Sequence, residues 1–447
     1  MFYPEIVQVN ERGHLTAAGV DLVELAAQYG TPLYVYDEDL MRRNCRSYRE
    51  TFSQYYSHGE IAYAGKAFLT MAMCRLLCQE GLSLDVVSAG ELYLAQKAGF
   101  PMERVYFHGN NKSASELHAA VELGVGRVVV DNAAELEQLA AEAERQRRAV
   151  SILLRIKPGV SPHTHQYIQT GQVDSKFGLG ISDGQAIAAV KRALKAPRLH
   201  LSGLHCHIGS QILDPHPFAA AAGIMVSLLQ EIRRKVGVTL PELNLGGGLG
   251  IRYTRVDQLC GLNDFLHLLS HTVTSQAAES DFPLPKLTLE PGRSIVGEAG
   301  LTLYTIGTIK EVPGIRRYAA VDGGMTDNLR PALYGARYEA ALANRAGEEA
   351  TQAVTIAGKA CESSDIILKD IVLPSLKSGD ILAVFSTGAY HFSMFSHYNR
   401  HLRPAVVFLS GGRAELVVRR ESLEDLTRPE IIPPHLQGMP AAEAKGA

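Results

Sequence analysis

The chain of 447 residues has little cysteine, little net charge and no long apolar run. Its six cysteines, at 45, 74, 78, 206, 260 and 361, are too sparse for a disulfide framework, and no two form a Cys-x-x-Cys pair. Cys74 and Cys78 stand one helical turn apart on an apolar face, which places them in the core and not in a metal site. With 44 basic against 47 acidic residues, net charge -3, there is no electrostatic footprint for nucleic acid or an anionic membrane surface. No run approaches the roughly 18 apolar residues of a membrane span. The start, Met1-Phe-Tyr-Pro, lacks the basic and apolar stretches of a secretion signal, so a cytoplasmic location is expected. Internal repeats and low-complexity segments are also missing. The tail from Pro433, rich in Pro, Ala and Gly, is expected to fray.

What is present is an ordinary globular composition, 46% apolar and 20% charged. At roughly 150 residues per domain, the length asks for two or three domains. Eight short strand-type runs alternate with helix-length segments: Ile61–Gly65, Leu84–Val87, Val105–His108, Arg127–Val130, Ser151–Ile156, Leu201–His207, Glu242–Leu245 and Lys286–Leu289. Ser88, Ser113 and Asn132 each stand three residues before a glutamate, the pattern of a capped helix start. The repetition predicts an α/β fold, a (β/α)8 barrel over residues 38–300. After residue 300, strand-like runs follow one another between turn signals, at Leu301–Val312, Tyr318–Val321, Ala353–Ile356, Ile366–Leu368, Ile381–Phe385, Ala405–Leu409 and Glu415–Val418. This part, with the strand Leu33-Tyr-Val-Tyr of residues 1–37, is expected to form a second, mostly β domain over 1–37 and 301–447.

Chemistry in such a barrel belongs at the C-terminal strand ends. The first run leads into Lys66 among small residues, where an amine in an apolar wall becomes a nucleophile able to form a Schiff base; a snorkelling surface lysine is the plainer alternative. The sixth ends in His205-Cys-His207-Ile-Gly-Ser210. Two histidines at spacing two share a face, which suits a metal pair, or one stacks on a planar cofactor while the other packs. His163 and His165 form a second such pair, expected on a surface loop beside Pro162. After the seventh run, Gly246-Gly247-Gly248-Leu-Gly250 frees backbone N–H groups for a phosphate. It is not a dinucleotide fingerprint, because Ile251 stands where the last glycine is required. The eighth run ends in Glu290-Pro-Gly292-Arg293, a fixed carboxylate for a protonated ring nitrogen and a guanidinium for an anion. Amine, stacking imidazole, phosphate cradle and carboxylate together match the four needs of pyridoxal 5'-phosphate.

With these motifs in order, joined by His108-Gly-Asn-Asn-Lys-Ser and Asp174-Ser-Lys-Phe-Gly, the sequence from about residue 8 to 425 resembles the barrel-type, alanine-racemase-like decarboxylases that use pyridoxal phosphate. Within that family it is similar to the members that convert meso-2,6-diaminopimelate to L-lysine and CO2, the last step of lysine biosynthesis. The resemblance implies that Lys66 carries the cofactor as a Schiff base, supported by Asp85, that His207 stacks on the ring, and that Glu290 holds its nitrogen. It assigns phosphate or substrate contacts to Ser210, Gly247, Gly248, Gly292 and Arg293. It further implies Arg330 and Tyr334 at the distal end of the substrate, Tyr390 touching cofactor and substrate, Cys361 as proton donor and Glu362 on the distal ammonium. Cys361 and Glu362 would enter from the second subunit of a homodimer. No metal is implied. Lys176 competes for the Schiff base, but its loop position after Gln172-Val-Asp argues against it. Departures from the family at Arg252, Arg337 and Lys359 bear on substrate affinity and not on the chemistry. A same-fold decarboxylase of ornithine, arginine or a carboxylated polyamine is the nearest alternative. A metal-dependent hydrolase using His205 and His207, and a non-catalytic cofactor carrier, are the alternatives of other classes.

Overall fold

The computed structural model describes residues 4–160 and 175–437. His163, His165, Gln172, Asp174 and the tail from 438 lie outside the described residues. Eight parallel strands close into a barrel: β1 Gly59–Ala64, β2 Ser83–Val86, β3 Val105–Phe107, β4 Arg127–Val130, β5 Val150–Lys157, β6 Leu199–Cys206, β7 Glu242–Asn244 and β8 Lys286–Leu289. Each strand pairs with the next, and β8 returns to β1 through Leu289 opposite Ile61. Each expected run lies within two residues of an observed strand at either end. Burial on both faces is why these strands read as apolar runs and not as alternating ones. Ala62, Tyr106, Val129 and Leu153 fill the barrel interior. The ion pair Lys286–Glu60 joins the neighbouring strands β8 and β1, and Arg127–Glu242 reaches from β4 to β7.

The helices start where the capping residues place them, with one refinement. Ser88, Ser113 and Asn132 all accept from the backbone three residues on, but among these three only Ser113 and Glu116 form the reciprocal box. Glu91 instead accepts from the Val87 N–H at 2.7 Å, and Glu135 from Asp131. In the helix Met71–Gln79, Cys74 is buried and Cys78 packs partly buried against the core.

The second large sheet is organised around the long strand Gly300–Val312. Its first half pairs antiparallel with Leu33–Asp37 and with Ile381–Val384, and its second half with Arg316–Val321. Ala405–Ser410 runs parallel to Leu33–Asp37, so residues from the two ends of the chain share one sheet. The strand Ala340–Leu342, pairing with Ile381–Val384, has no counterpart among the expected runs. This sheet docks at the barrel mouth: Tyr36 stacks on Phe68 at 4.1 Å, and the Tyr390 N–H and Ser393 hydroxyl both donate to the Ala67 carbonyl at 2.9 Å.

Candidate active site

A cavity of about 530 Å³ lies at the C-terminal ends of the barrel strands, roofed by Arg330, Tyr334, Tyr390 and Met394 of the β sheet region. Lys66 enters it from a single 3-10 turn, Gly65–Ala67, that follows β1. The Tyr63 hydroxyl closes that turn by donating to the Phe68 carbonyl at 2.8 Å, and Tyr390, held at φ 65°, caps it from the other domain. The lysine is therefore fixed at its base by two separate parts of the chain.

Glu290 is the electrostatic centre. Its Oε1 accepts from Asn244 Nδ2 at 2.7 Å and pairs with His108 Nε2 at 2.9 Å, while Oε2 pairs with His205 Nε2 at 3.1 Å. Despite full burial, the two imidazoles beside it hold the carboxyl well below its usual range, so it is ionised. A carboxylate offers about four lone-pair directions. The three contacts here leave one on Oε2 for a further donor such as a protonated ring nitrogen. Burial pushes the His205 imidazole down to about 4 despite the attraction of Glu290. His207 is pushed well below the usual histidine range by burial and by the positive charges of Lys66 and Arg155, so it presents a neutral ring. Its Nδ1 accepts from the Gly247 N–H at 3.3 Å, which ties the ring to the glycine turn.

The glycine turn is shaped by close approach. Gly248 has φ +128°, and a Cβ there would lie 2.3 Å from the Gly209 carbonyl oxygen. A side chain at Gly292 would meet Ala64 at 2.9 Å. Beside this cradle, the Arg293 guanidinium donates to Ser210 Oγ at 2.9 Å and to the Tyr253 hydroxyl, and lies 4.7 Å from the Tyr390 ring centre. Arg330, 5% exposed, donates to Tyr338 at 2.7 Å and stacks over Tyr253. Asp85 is buried at the end of β2, with Oδ1 3.7 Å from His108 Nε2 and without a hydrogen bond among the described residues. Burial raises its pKa, and the His108 charge opposes the rise. An amine, a neutral flat ring, an ionised carboxylate with room for a donor, an unsatisfied carboxylate oxygen and a cradle that tolerates no side chain fit pyridoxal phosphate group by group.

The structure thus brings Lys66, Asp85, His207, Ser210, Gly247, Gly248, Glu290, Gly292, Arg293, Arg330, Tyr334 and Tyr390 into one cavity. It does not bring Cys361 and Glu362 there; both are exposed on the same chain, away from the cavity lining. Lys176, the competitor for the Schiff base, also lines the cavity, with Phe177, whose ring it approaches to 5.0 Å. The two histidines of the pair diverge: His205 turns to Glu290 and packs edge-on to His108 at 4.7 Å, whereas His207 turns to Gly247. His108, His205 and Glu290 have ligand atoms within 4.8 Å of one another, a set compatible with a cation, but their hydrogen bonds already account for the grouping. Residues missed from the sequence are His108 and Asn244. His108, named only as part of a motif, ends the run Val105–His108, and Asn244 is next to last in Glu242–Leu245, so inspection of the last two residues of each run would have given both a role.

Fold and site together define a barrel enzyme built around pyridoxal phosphate. The comparisons with known proteins place it more narrowly. Residues 38–297 match the family model described as pyridoxal-dependent decarboxylase, pyridoxal binding domain. The chain is 50% identical over 431 residues to the diaminopimelate decarboxylase of Bacillus subtilis (strain 168), covering 96% of this chain and 98% of that protein. Among solved structures it is similar to diaminopimelate decarboxylase from M. jannaschii in complex with L-lysine, with TM-score 0.91, 36% identity, and coverage of 98% of this chain and 100% of that one. The Helicobacter pylori diaminopimelate decarboxylase complexed with L-lysine matches with TM-score 0.83 and 32% identity over 91% of this chain and 98% of that one. This chain belongs to the pyridoxal-dependent decarboxylase family.

Proposed function

We propose that the chain removes one carboxyl group from meso-2,6-diaminopimelate, releasing CO2 and leaving L-lysine. The observation that carries this reading is the placement of a buried guanidinium, Arg330, in the same cavity as Lys66. An amine at one side and a desolvated cation at the roof suit an amino acid whose far end is acidic. Ornithine and arginine, with cationic far ends, would face Arg330 with like charge. The names of the relatives and the L-lysine held by two solved ones support the same choice.

In this reading Lys66 Nζ holds the cofactor covalently, with Asp85 beside it as a charge partner. Gly247, Gly248, Ser210, Gly292 and Arg293 hold its phosphate. His207 presents its neutral ring face, and Glu290 keeps the ring nitrogen protonated through its own negative charge. When bound, pyridoxal phosphate supplies a sink for the electron pair that CO2 leaves behind. Arg330 and Tyr334 bind the distal carboxylate, and Tyr390 excludes water over Lys66. Cys361 of a second copy delivers the proton to the substrate carbon, and Glu362 beside it takes the distal ammonium. The barrel is taken as residues 38–300 and the β domain as 1–37 with 301–447, in a cytoplasmic homodimer with shared sites.

The test is direct. The protein loaded with pyridoxal phosphate should release CO2 and lysine from meso-diaminopimelate far faster than CO2 from ornithine, arginine or lysine. Borohydride should fix the cofactor to the peptide containing Lys66, and Lys66→Ala should abolish turnover. Fixation at Lys176, or near-normal CO2 release by Lys66→Ala, would overturn the assignment.

A further inference from the structure

The β domain contributes to the proposed site through two segments, one leading to Arg330 and one carrying Cys361, and a single buried side chain lies between them. Asp365 is 3% exposed. Its Oδ1 accepts from the Met325 N–H at 2.6 Å and its Oδ2 from the Ala360 N–H at 2.8 Å. Its own carbonyl accepts from Gly358 at 2.9 Å, and the Lys359 N–H reaches across to the Gly323 carbonyl at 3.0 Å. The fit around the carboxylate is tight: a Cβ on Gly324 would stand 2.6 Å from it, and one on Gly358 2.2 Å. Two glycines thus open the space that this carboxylate fills.

From Met325 the chain makes one turn, with the Asn328 N–H on the Gly324 carbonyl at 2.8 Å, and enters the short helix Arg330–Tyr334 at the cavity roof. In the other direction Ala360 leads directly to Cys361. There the backbone is held from the far side as well: Asn399 Oδ1 accepts from the Cys361 N–H at 2.7 Å, and the Tyr398 hydroxyl donates to the Cys361 carbonyl at 3.2 Å. Asn399 adopts φ 51° and Arg400 φ 60°, a left-handed pair that aims the amide at the loop.

We propose that Asp365 is a positioning residue that ties the Arg330 segment to the Cys361 loop, so that one carboxylate sets both contributions of the β domain to catalysis. The proposal rests on the reading of Arg330 as carboxylate-binding and Cys361 as proton donor. Because Arg330 lines its own chain's cavity while Cys361 serves the second copy's, Asp365 also links the two sites of the dimer. The physical reason is that an ionised carboxylate accepts on both oxygens, whereas an amide accepts on one and donates from the other. Asp365→Asn must therefore release either Met325 or Ala360.

The experiment compares steady-state kinetics of the pyridoxal-phosphate-loaded variants on meso-diaminopimelate, normalised to bound cofactor. Asp365→Asn should lower kcat between about tenfold and a hundredfold and raise KM several-fold, with the cofactor absorbance unchanged. Asn399→Ala touches only the Cys361 side, so it should lower kcat at constant KM and add nothing in a Cys361→Ala background. A merely structural role would lower the melting temperature and leave kcat and KM per bound cofactor unchanged; that result overturns the proposal. If Asp365→Asn does not fold, Gly324→Ala, whose methyl would stand 2.6 Å from the Asp365 carboxylate, displaces it instead, and unchanged kcat and KM per bound cofactor in that variant count against the proposal. If Cys361→Ala alone keeps full kcat, the proton-donor reading falls, and the positioning role falls with it.

Discussion

At the scale of single residues, Glu290 and its neighbours determine what the cavity can do. Three donors surround one carboxylate in a buried site, and that arrangement keeps the charge in place before any ligand arrives. His205 shares in the cost. Its folded pKa of about 4 lies below the usual 6.5, so the folded state resists its protonation. The stability this contributes is present above pH 6.5 and is lost as pH falls toward 4. Going from near pH 7.5 to about pH 5, the cofactor-free protein should lose about 2 kcal/mol more than His205→Asn does. Urea unfolding at the two pH values measures the difference, and parallel losses in both proteins would refute the assignment. The histidine partnerships were not legible in the sequence. His108 and Glu290 are 182 positions apart, and only closure of the barrel brings them together.

At the scale of elements, the loops after strands carry the chemistry, and the glycine turn after β7 is the most constrained of them. Gly248→Ala places a methyl group against the Gly209 carbonyl at a φ that L residues rarely adopt. It should weaken pyridoxal phosphate binding by at least about tenfold while the far-ultraviolet circular dichroism stays unchanged. A fluorescence titration with the cofactor checks this, and unaltered affinity would remove the turn from the phosphate site. The elements themselves were largely readable. Buried parallel strands leave apolar runs bounded by polar strand ends, which is why all eight barrel strands could be placed. Ala340–Leu342 escaped because two alanines and one leucine are too short a run to carry a strand signal of their own and pair with Ile381–Val384. That Lys176 lines the cavity was not legible either, because a residue's place in a loop says nothing about where its side chain ends up. The same limit applies to Glu91, whose spacing from Ser88 matched a capping box but whose carboxylate turned to Val87.

At the scale of the whole molecule, two parts of the chain are needed for one site, and the proposed account needs two chains. The first requirement is visible in Tyr390 and Ser393 on the Ala67 carbonyl and in Arg330 at the cavity roof. The second follows from where Cys361 and Glu362 stand: exposed, held by Asp365 and Asn399, and away from the cavity of their own chain. A symmetric pair would present each loop to the other copy's barrel. Mixed dimers give the most direct test. Lys66→Ala and Cys361→Ala should each be nearly inactive on meso-diaminopimelate. Co-expressed in equal amounts, they should regain roughly a quarter of wild-type activity, because half of the dimers are hybrids with one intact site of two. No recovery in the hybrids, or full activity of Cys361→Ala alone, would contradict a decarboxylase site completed by its second copy.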